Sequence, residues 1–223
     1  MANWTAGYAA DVDYTFGYFK ELNPLTIKLA LIDAGIQPPE VQAACELGFG
    51  QGISVNIHAA GSSTKWVGTD FSPSQAGFAQ DLAKASENQA QLYDQAFAEF
   101  SQRDDLPDFD FIALHGIWSW VSDENRKILV DFIARKLKVG GALFISYNGP
   151  AGWANMLPIR HLLNQHAEHM ASQGSNSVEK VQNAFEFAEQ LLAINPGYLQ
   201  ANPQARKSFD IVKNQDPVYL AHE

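Results

Sequence analysis

Three glycines at alternate positions follow an acid in the segment ACELGFGQGISV, residues 44–55. Gly48, Gly50 and Gly52 allow the backbone to turn tightly and let a ligand lie against it without a Cβ in the way. Glu46, two residues ahead of Gly48, supplies a carboxylate that suits a ligand ammonium, directly or through water. A turn with no ligand is the plainer alternative, but the joint pattern predicts a binding loop.

A second acid, Asp70, stands in the segment WVGTDFSP at the end of a predicted strand. An acid at the end of the second strand can accept hydrogen bonds from both hydroxyls of a ribose. Taken alone, Asp70 could as well cap the helix that follows it. Combined with the glycine loop, it predicts a nucleoside site.

The residues between and after the glycines show which known phosphate-binding loops this loop resembles and which it does not. A dinucleotide-binding loop has the pattern G-x-G-x-x-G, whereas this loop has Ile53 at the place of the third glycine. A P-loop needs Lys and Ser or Thr after its glycines, and this loop has neither in place. A nicotinamide-dependent oxidoreductase stays an alternative, because Gly48, Gly50 and Asp70 would suit it.

The elements that must position these residues alternate between strand and helix from residue 41 to residue 148. Apolar segments predict strands at 41–47, 65–71, 109–115 and 142–148, with a shorter strand within 90–100. Caps and breakers predict helices within the segments 23–39, 52–61, 72–89 and 122–141. In the first of these, Asn23 is the predicted N-cap and Gly35 suits the position just past the helix. The pattern therefore predicts an α/β fold with a Rossmann-like, doubly wound, mostly parallel sheet and helices on both faces. We also expect an N-terminal helix and a helical C-terminal extension.

Composition and charge narrow the function classes. The chain has 223 residues, a net charge of −10 and one cysteine, Cys45. The acidic balance makes a nucleic acid an unlikely partner, because phosphate binding requires clustered Lys and Arg. No apolar run approaches the roughly 18 residues that a membrane span needs, and the N-terminus does not resemble a secretory signal. We expect a cytoplasmic protein in a reducing compartment, with Cys45 as a small buried hydrophobe.

Histidines are the remaining candidates for a metal site. His166 and His169 share one face of a predicted helix, but no HExxH or cysteine pattern accompanies them. A solvated helix face explains them better, and we expect no metal site.

At this point the motifs resemble a known family. The pattern E-x-G-x-G-x-G with an acid ending the second strand resembles the class I S-adenosylmethionine-dependent methyltransferases over residues 41–148. Segments 14–24, 109–126 and 146–153 are similar to bacterial methyltransferases that carry an additional methyltransferase regulatory domain. In those proteins the catalytic domain comes first, a helical regulatory region follows, and some relatives methylate lysines on proteins. This sequence ends at PVYLAHE, a position past which such proteins continue. The resemblance therefore implies that the sequence is a catalytic fragment of a longer protein.

The resemblance implies a division of the chain into two parts. Residues 1–150 would form the S-adenosylmethionine-binding methyltransferase domain, including an N-terminal lid segment with Tyr14 and Tyr18. Residues 151–223 would form a helical extension, the start of a regulatory or substrate region.

The resemblance also implies a cofactor, S-adenosylmethionine, with S-adenosylhomocysteine as its product. The residues that it assigns to cofactor binding are Tyr18, Glu46, Gly48, Gly50, Gly52, Asp70, Phe71, Ala96, Phe97 and His115. Glu46 would serve the amino group, Asp70 the ribose and Phe71 the adenine. At Ala96 and Phe97 the family often has an acid for the adenine amino group, and here that acid is displaced to Asp94 or missing.

Methyl transfer mainly requires that acceptor and cofactor be aligned, and a base is needed only where a proton must leave. His115, at the end of the fourth strand, is a candidate base or orienting group, although a structural histidine explains it equally well. Tyr147, with Asn148, follows the fifth strand and could bind the acceptor, but the Asn-Gly pair is also a turn signal. Trp118, Trp120 and Trp153 are candidates for the walls of the site, beside a packing role.

The sequence therefore predicts an S-adenosylmethionine-dependent methyltransferase that acts on an unidentified acceptor, a protein side chain or a small molecule. Two alternatives remain open: the nicotinamide-dependent oxidoreductase, and a cofactor-binding module that is inactive without a C-terminal regulatory domain.

Overall fold

The computed structural model describes residues 16–172 and 174–222 of the chain. The described residues form two compact units, and the boundary between the units falls between Tyr147 and Asn148. Tyr8 and Tyr14, two of the aromatic residues near the N-terminus, lie outside the described residues.

The first unit is built around a sheet of five strands, all paired in parallel, in the order β3-β2-β1-β4-β5. The strands are β1 (Ala43–Leu47), β2 (Lys65–Asp70), β3 (Gln91–Asp94), β4 (Phe109–Leu114) and β5 (Leu137–Ile145). Every residue of the central strand β1 is buried, because helices cover both faces of a parallel sheet of this kind. The strand order reverses between β1 and β4, and in open α/β sheets ligands bind outside the carboxyl ends of the strands at such a reversal.

Helices alternate with these strands, as the pattern of the sequence predicts, and the first helix precedes the first strand. They are α1 (Pro24–Asp33), α2 (Ile53–Ala60), α3 (Pro73–Ala85), α4 (Phe97–Phe100) and α5 (Asp123–Lys136), and a short 3₁₀ turn, Lys20–Leu22, precedes α1. The predicted N-cap of α1 is confirmed, since the Asn23 side chain accepts a hydrogen bond from the Leu25 amide at 2.9 Å. Gly35 takes the left-handed conformation just past this helix, with φ of 71°.

The boundary between α5 and β5 differs from the prediction. The predicted helix extends to Gly141, but α5 ends at Lys136 and β5 begins at Leu137. Leu137 is paired with Phe109 of β4, and the register shifts between Phe109 and Phe111. Residues from Leu137 onward thus pair with β4, although their local sequence would continue a helix. Gly140, with φ of 82°, lies within the irregular part of the strand.

One core cluster of the first unit lies between the sheet and the helices α2 and α3. Trp66, Phe111 and Val55 are almost completely buried within it, and Leu22 joins them from the 3₁₀ turn ahead of α1. Ala76 and Ala79 on α3 let that helix approach the sheet closely. The core therefore fixes α2 and α3, the two helices that follow β1 and β2.

The second unit is helical, as predicted for the C-terminal extension. Its helices are α6 (Pro150–Trp153), α7 (Leu157–His169), α8 (Ser177–Ala193), α9 (Gly197–Ala201), α10 (Pro203–Val212) and α11 (Pro217–His222). Asn176 and Glu179 form a capping box at the start of α8. A separate core that includes Ile159, Ala188 and Phe209 holds the unit together. None of the helices in the described part of the chain is long and apolar enough to cross a membrane.

Candidate functional site

The glycine loop between β1 and α2 is attached to the end of β2. Gly48, Gly50 and Gly52 have φ values of 74°, 56° and 68°, a region that side chains with a Cβ rarely adopt. The Gly48 amide donates to the Thr69 carbonyl at 2.8 Å, and the Gly50 amide donates to Asp70 Oδ2 at 2.8 Å. The loop is therefore held open at the carboxyl edge of the sheet by main-chain and carboxylate acceptors.

Asp70 is the anchor of this arrangement. Its Oδ2 accepts from Gly50, its Oδ1 accepts from the Ser72 amide at 3.0 Å, and its side chain is buried. Burial raises the pKa of Asp70 to about 6, with a further increase from Asp94, while the amides of Ser72, Gly50 and Phe71 lower it. Each carboxylate oxygen has two lone pairs, so Asp70 retains the capacity to accept hydrogen bonds from a ligand.

The loop after β3 is also tied to the end of β2. Thr69 Oγ1 donates to the Gln95 carbonyl at 2.5 Å, and the Gln95 amide donates to the Asp70 carbonyl at 3.0 Å. Ala96 and Phe97, two predicted adenine contacts, come directly after Gln95, at the start of α4. Thr69 was not predicted as a site residue, because its partner Gln95 lies 26 residues away in the chain and is known only from the fold.

Phe97 and Ile117 are the side chains that the structure brings to Gly48. A Cβ on Gly48 would overlap the Ile117 side chain and would lie 3.8 Å from Phe97 Cζ. Phe97 is thus a neighbour of the glycine loop, whereas Ala96 is exposed. Ile117, in the loop after β4, was not predicted as a site residue, since an aliphatic residue carries no chemical signal in the sequence.

Glu46 is buried in β1, and its Oε2 has no hydrogen-bond partner within the described part of the chain. Burial and the nearby charge of Asp70 raise the pKa of Glu46 to about 8. A buried carboxyl group without a partner is costly. It is therefore suited to a ligand that brings a hydrogen-bond donor or a positive charge.

His115 follows β4 at the carboxyl edge and stacks on Phe19, with ring centroids 4.1 Å apart. Its Nδ1 is buried and lacks a partner among the described residues. Burial lowers the pKa of His115, an effect that Glu21 opposes, so the imidazole is neutral near pH 7. The Phe19 amide donates to Ser54 Oγ at 2.8 Å, which fastens this part of the N-terminal segment to α2.

The N-terminal residue predicted to bind the cofactor, Tyr18, contacts a different part of the unit. Its hydroxyl is 3.4 Å from His58 Nε2, and the His58 ring lies 5.2 Å from the Trp66 ring. His58 is near the end of α2 and Trp66 near the start of β2, so this contact lies toward the amino edge of the sheet. Phe19, rather than Tyr18, is the neighbour of His115.

Tyr147 is 67% exposed and follows β5 by two residues. The strand end beside it is fixed to the loop after β4, because Ser146 Oγ accepts from the Gly116 amide at 2.8 Å and the Ser146 amide donates to the Leu114 carbonyl at 3.0 Å. His115 and Tyr147 thus follow neighbouring strands whose ends are tied together. Ser146 is a second positioning residue that the sequence analysis missed.

The remaining aromatic candidates belong to different units of the chain. Phe71 is half-buried directly after Asp70, and Trp118 and Trp120 are half-buried in the loop after β4. The Trp118 carbonyl accepts from Arg126 Nε at 3.0 Å. Trp153 packs against the core of the helical unit.

Part of this chain is similar to a known family model. Residues 44–141 match the family model described as a methyltransferase domain. The uncharacterized protein sll1526 of Synechocystis sp. is 37% identical over 99% of this chain, which spans 44% of that protein. The uncharacterized protein RP789 of Rickettsia prowazekii is 24% identical over 96% of this chain and 41% of its own length. The chain thus spans less than half of the length of these relatives.

A solved structure shares the fold. PKMT2 from Rickettsia typhi, in complex with AdoHcy, matches 94% of this chain and 40% of its own chain with a TM-score of 0.78 and 21% identity. The match to a methyltransferase domain overturns the oxidoreductase alternative. Residues 44–141, which hold the glycine loop, Glu46 and Asp70, are thus similar to a methyltransferase domain, and the chain shares its fold with PKMT2.

Proposed function

We propose that this protein transfers a methyl group from S-adenosylmethionine to an acceptor that is a protein side chain or a small molecule. The observation that carries the proposal is the buried carboxyl of Glu46, whose Oε2 has no hydrogen-bond partner among the described residues, beside a glycine loop that Asp70 holds open. A structural turn would have no need for an uncompensated buried acid.

The residues present fit the cofactor. Glu46 would meet its ammonium, which removes the cost of the unpartnered Oε2, and the remaining lone pairs of Asp70 would accept from the ribose hydroxyls. Gly48, Gly50 and Gly52 would form the floor against which it lies. Phe97, beside Gly48, and Phe71 would bound the adenine, with Ala96 contributing main-chain groups. When bound, the cofactor supplies a methyl group already activated by a sulfonium.

The chain's own residues would align the acceptor and manage its proton. His115 is neutral near pH 7 because burial lowers its pKa. Its Nδ1, which has no partner in the described part of the chain, would accept a hydrogen bond or a proton from the acceptor. Phe19 holds the imidazole by stacking. The exposed hydroxyl of Tyr147 would orient the acceptor from the neighbouring strand end. Effective molarity, rather than acid–base chemistry, would supply most of the rate.

The proposal also assigns different roles to two parts of the chain. Residues 1–150 would bind the cofactor and catalyse the transfer, and residues 151–223 would begin a regulatory or substrate region. The separate core of the helical unit supports a distinct role for it. The resemblance to methyltransferases with a regulatory domain supports a protein acceptor, and we expect the protein to act in the cytoplasm.

Methyl-labelled S-adenosylmethionine tests the proposal. The purified protein is incubated with this label and a dialysed protein extract, or with a small-molecule extract, and Asp70→Ala serves as the control. Label on protein or on a small molecule, lost in the variant, would support transfer and identify the acceptor class. Binding of S-adenosylhomocysteine without any transfer would favour a cofactor-binding module instead.

A further inference from the structure

A fully buried amide lies directly behind the glycine loop. Asn56, on the first turn of α2, is 3% exposed. Its Nδ2 donates to the Gly52 carbonyl at 2.9 Å and to the Ala79 carbonyl at 3.1 Å. Its Oδ1 accepts from Asn88 Nδ2 at 2.7 Å. Two carbonyl acceptors fix which side-chain atom is the nitrogen, so the orientation of this amide is determined by its partners.

The two carbonyls that Asn56 bridges belong to segments in very close contact. A Cβ on Gly52 would overlap the Ala79 Cβ, and Gly52 itself has φ of 68°. The glycine loop and α3 therefore meet at this point with only the Ala79 methyl group between their backbones. Asn56 is the hydrogen-bonding group that holds the two backbones in that approach.

The network continues to the segment that leads into the amino end of β3. Asn88 Oδ1 accepts from the Ala90 amide at 2.9 Å, and Ala90 immediately precedes β3. β3 ends at Asp94, which is the register partner of Asp70, and the chain then reaches Phe97. A chain of side-chain hydrogen bonds thus joins the glycine loop to the strand that delivers Phe97.

Helix formation alone does not require this amide. The Gly52 carbonyl already accepts the main-chain hydrogen bond from the Asn56 amide at 3.1 Å, so α2 begins without help from the side chain. A buried aliphatic residue would contribute apolar burial, whereas a buried amide is tolerated only with its hydrogen bonds satisfied. The polar residue therefore serves the geometry of the loop.

We propose that Asn56 is a positioning residue for the cofactor, which sets the glycine loop against α3 and aligns the two halves of the cofactor site. This inference rests on the proposed function and adds a residue that does not itself touch the reacting atoms. Loss of the Asn56 side chain would leave the loop free to shift, and small misplacements of binding groups have large effects on function.

The test compares three variants with the wild type by titration with S-adenosylhomocysteine and by initial rates at varied S-adenosylmethionine. Asn56→Ala removes the bridge. Asn56→Ser restores one bond, because a serine hydroxyl can donate to the carbonyl four residues earlier. Gln80→Ala is the matched control: Gln80 Nε2 donates to the Leu92 carbonyl at 2.9 Å, so this change removes an α3–β3 amide bond and leaves Gly52 untouched.

We expect Asn56→Ala to weaken S-adenosylhomocysteine binding by about tenfold and to raise KM for S-adenosylmethionine more than it lowers kcat. Asn56→Ser should recover part of the affinity, and Gln80→Ala should bind like the wild type despite a comparable loss of thermal stability. Wild-type affinity in folded Asn56→Ala or Asn56→Ser, or an equal loss in Gln80→Ala, would overturn this inference alone. A wild type that binds no S-adenosylhomocysteine would overturn the proposed function as well.

Discussion

At the scale of single residues, two buried acids dominate the electrostatics of the site. Glu46 has a pKa of about 8 and Asp70 a pKa of about 6, in both cases chiefly because burial penalises the charged form. The two differ in their partners: backbone amides compensate Asp70, whereas Glu46 Oε2 has none among the described residues. Glu46 is thus the group whose state should respond most to a cationic ligand.

The raised pKa of Glu46 predicts that the ligand-free protein loses stability as the pH rises. The folded state keeps a proton that the unfolded chain releases at its ordinary pKa of 4.5, so the contribution is complete below pH 4.5 and is lost as the pH rises through about 8. A shift of one pKa unit corresponds to about 1.4 kcal/mol of free energy. Because glutamine does not ionise, Glu46→Gln should keep this stability and should exceed the wild type in free energy of unfolding at pH 8 by on the order of a few kcal/mol. Thermal unfolding from pH 5 to 9 measures this difference. The exposed Glu124→Gln is the control, and a constant offset between wild type and Glu46→Gln would refute the assignment.

The same variant should bind the cofactor product less well. A hydrogen bond to a charged group contributes about 1.5–3 kcal/mol, so we expect Glu46→Gln to weaken S-adenosylhomocysteine binding by roughly 10- to 100-fold. Wild-type binding at pH 7 should also release a proton from Glu46, which calorimetry in buffers of different ionisation enthalpy detects. Unchanged affinity and no proton release would remove Glu46 from the site.

Burial of His58 should make the folded protein less stable as the pH falls. Burial lowers its pKa to about 4, so its contribution to stability is present above its ordinary pKa of 6.5 and is lost as the pH falls through 4. We expect His58→Gln to lose less stability than the wild type between pH 6.5 and 4, by on the order of 1–3 kcal/mol. The exposed His169→Gln serves as the control in denaturant titrations at each pH. Parallel pH profiles for His58→Gln and wild type would contradict the prediction.

At the scale of elements, the contact between the glycine loop and α3 sets the position of the loop. Gly52→Ala places a Cβ against Ala79 at a left-handed backbone position, which should cost about 1–3 kcal/mol of the free energy of unfolding. Gly77→Ala, on the same α3 with open space around it, should be neutral or stabilising by up to about 1 kcal/mol. Chemical denaturation of the two variants measures both values. Equal effects of the two substitutions would show that the Gly52 contact is not tight in solution.

The sequence predicts these elements well where local signals and tertiary pairing agree. The glycine loop, Glu46 and Asp70 follow from their spacing, and β1 to β4 begin and end within a few residues of their predictions. α5 ends five residues earlier than predicted, because pairing with β4 outweighs the helical preference of residues 137–141. Thr69, Ser146 and Asn56 could not be identified from the sequence, since their partners are distant in the chain and known only from the fold.

At the scale of the whole molecule, the chain combines a unit in which residues 44–141 match a methyltransferase domain with a helical unit that has its own core. It spans 44% of the Synechocystis relative, so the acceptor, the partners and the activity of the whole protein are proposals drawn from the site. The site itself depends on residues of the first unit that the structure brings to one edge of one sheet. Cofactor binding is therefore the property that most directly tests the account.

The decisive measurement is a calorimetric titration of the protein with S-adenosylhomocysteine and, in parallel, with NADH, on wild type and Asp70→Ala. We predict saturable binding of S-adenosylhomocysteine to the wild type, loss of that binding in folded Asp70→Ala, and no binding of NADH. A folded wild type that binds NADH, or that binds no S-adenosylhomocysteine, would contradict the central claim that Glu46, the glycine loop and Asp70 form a site for S-adenosylmethionine.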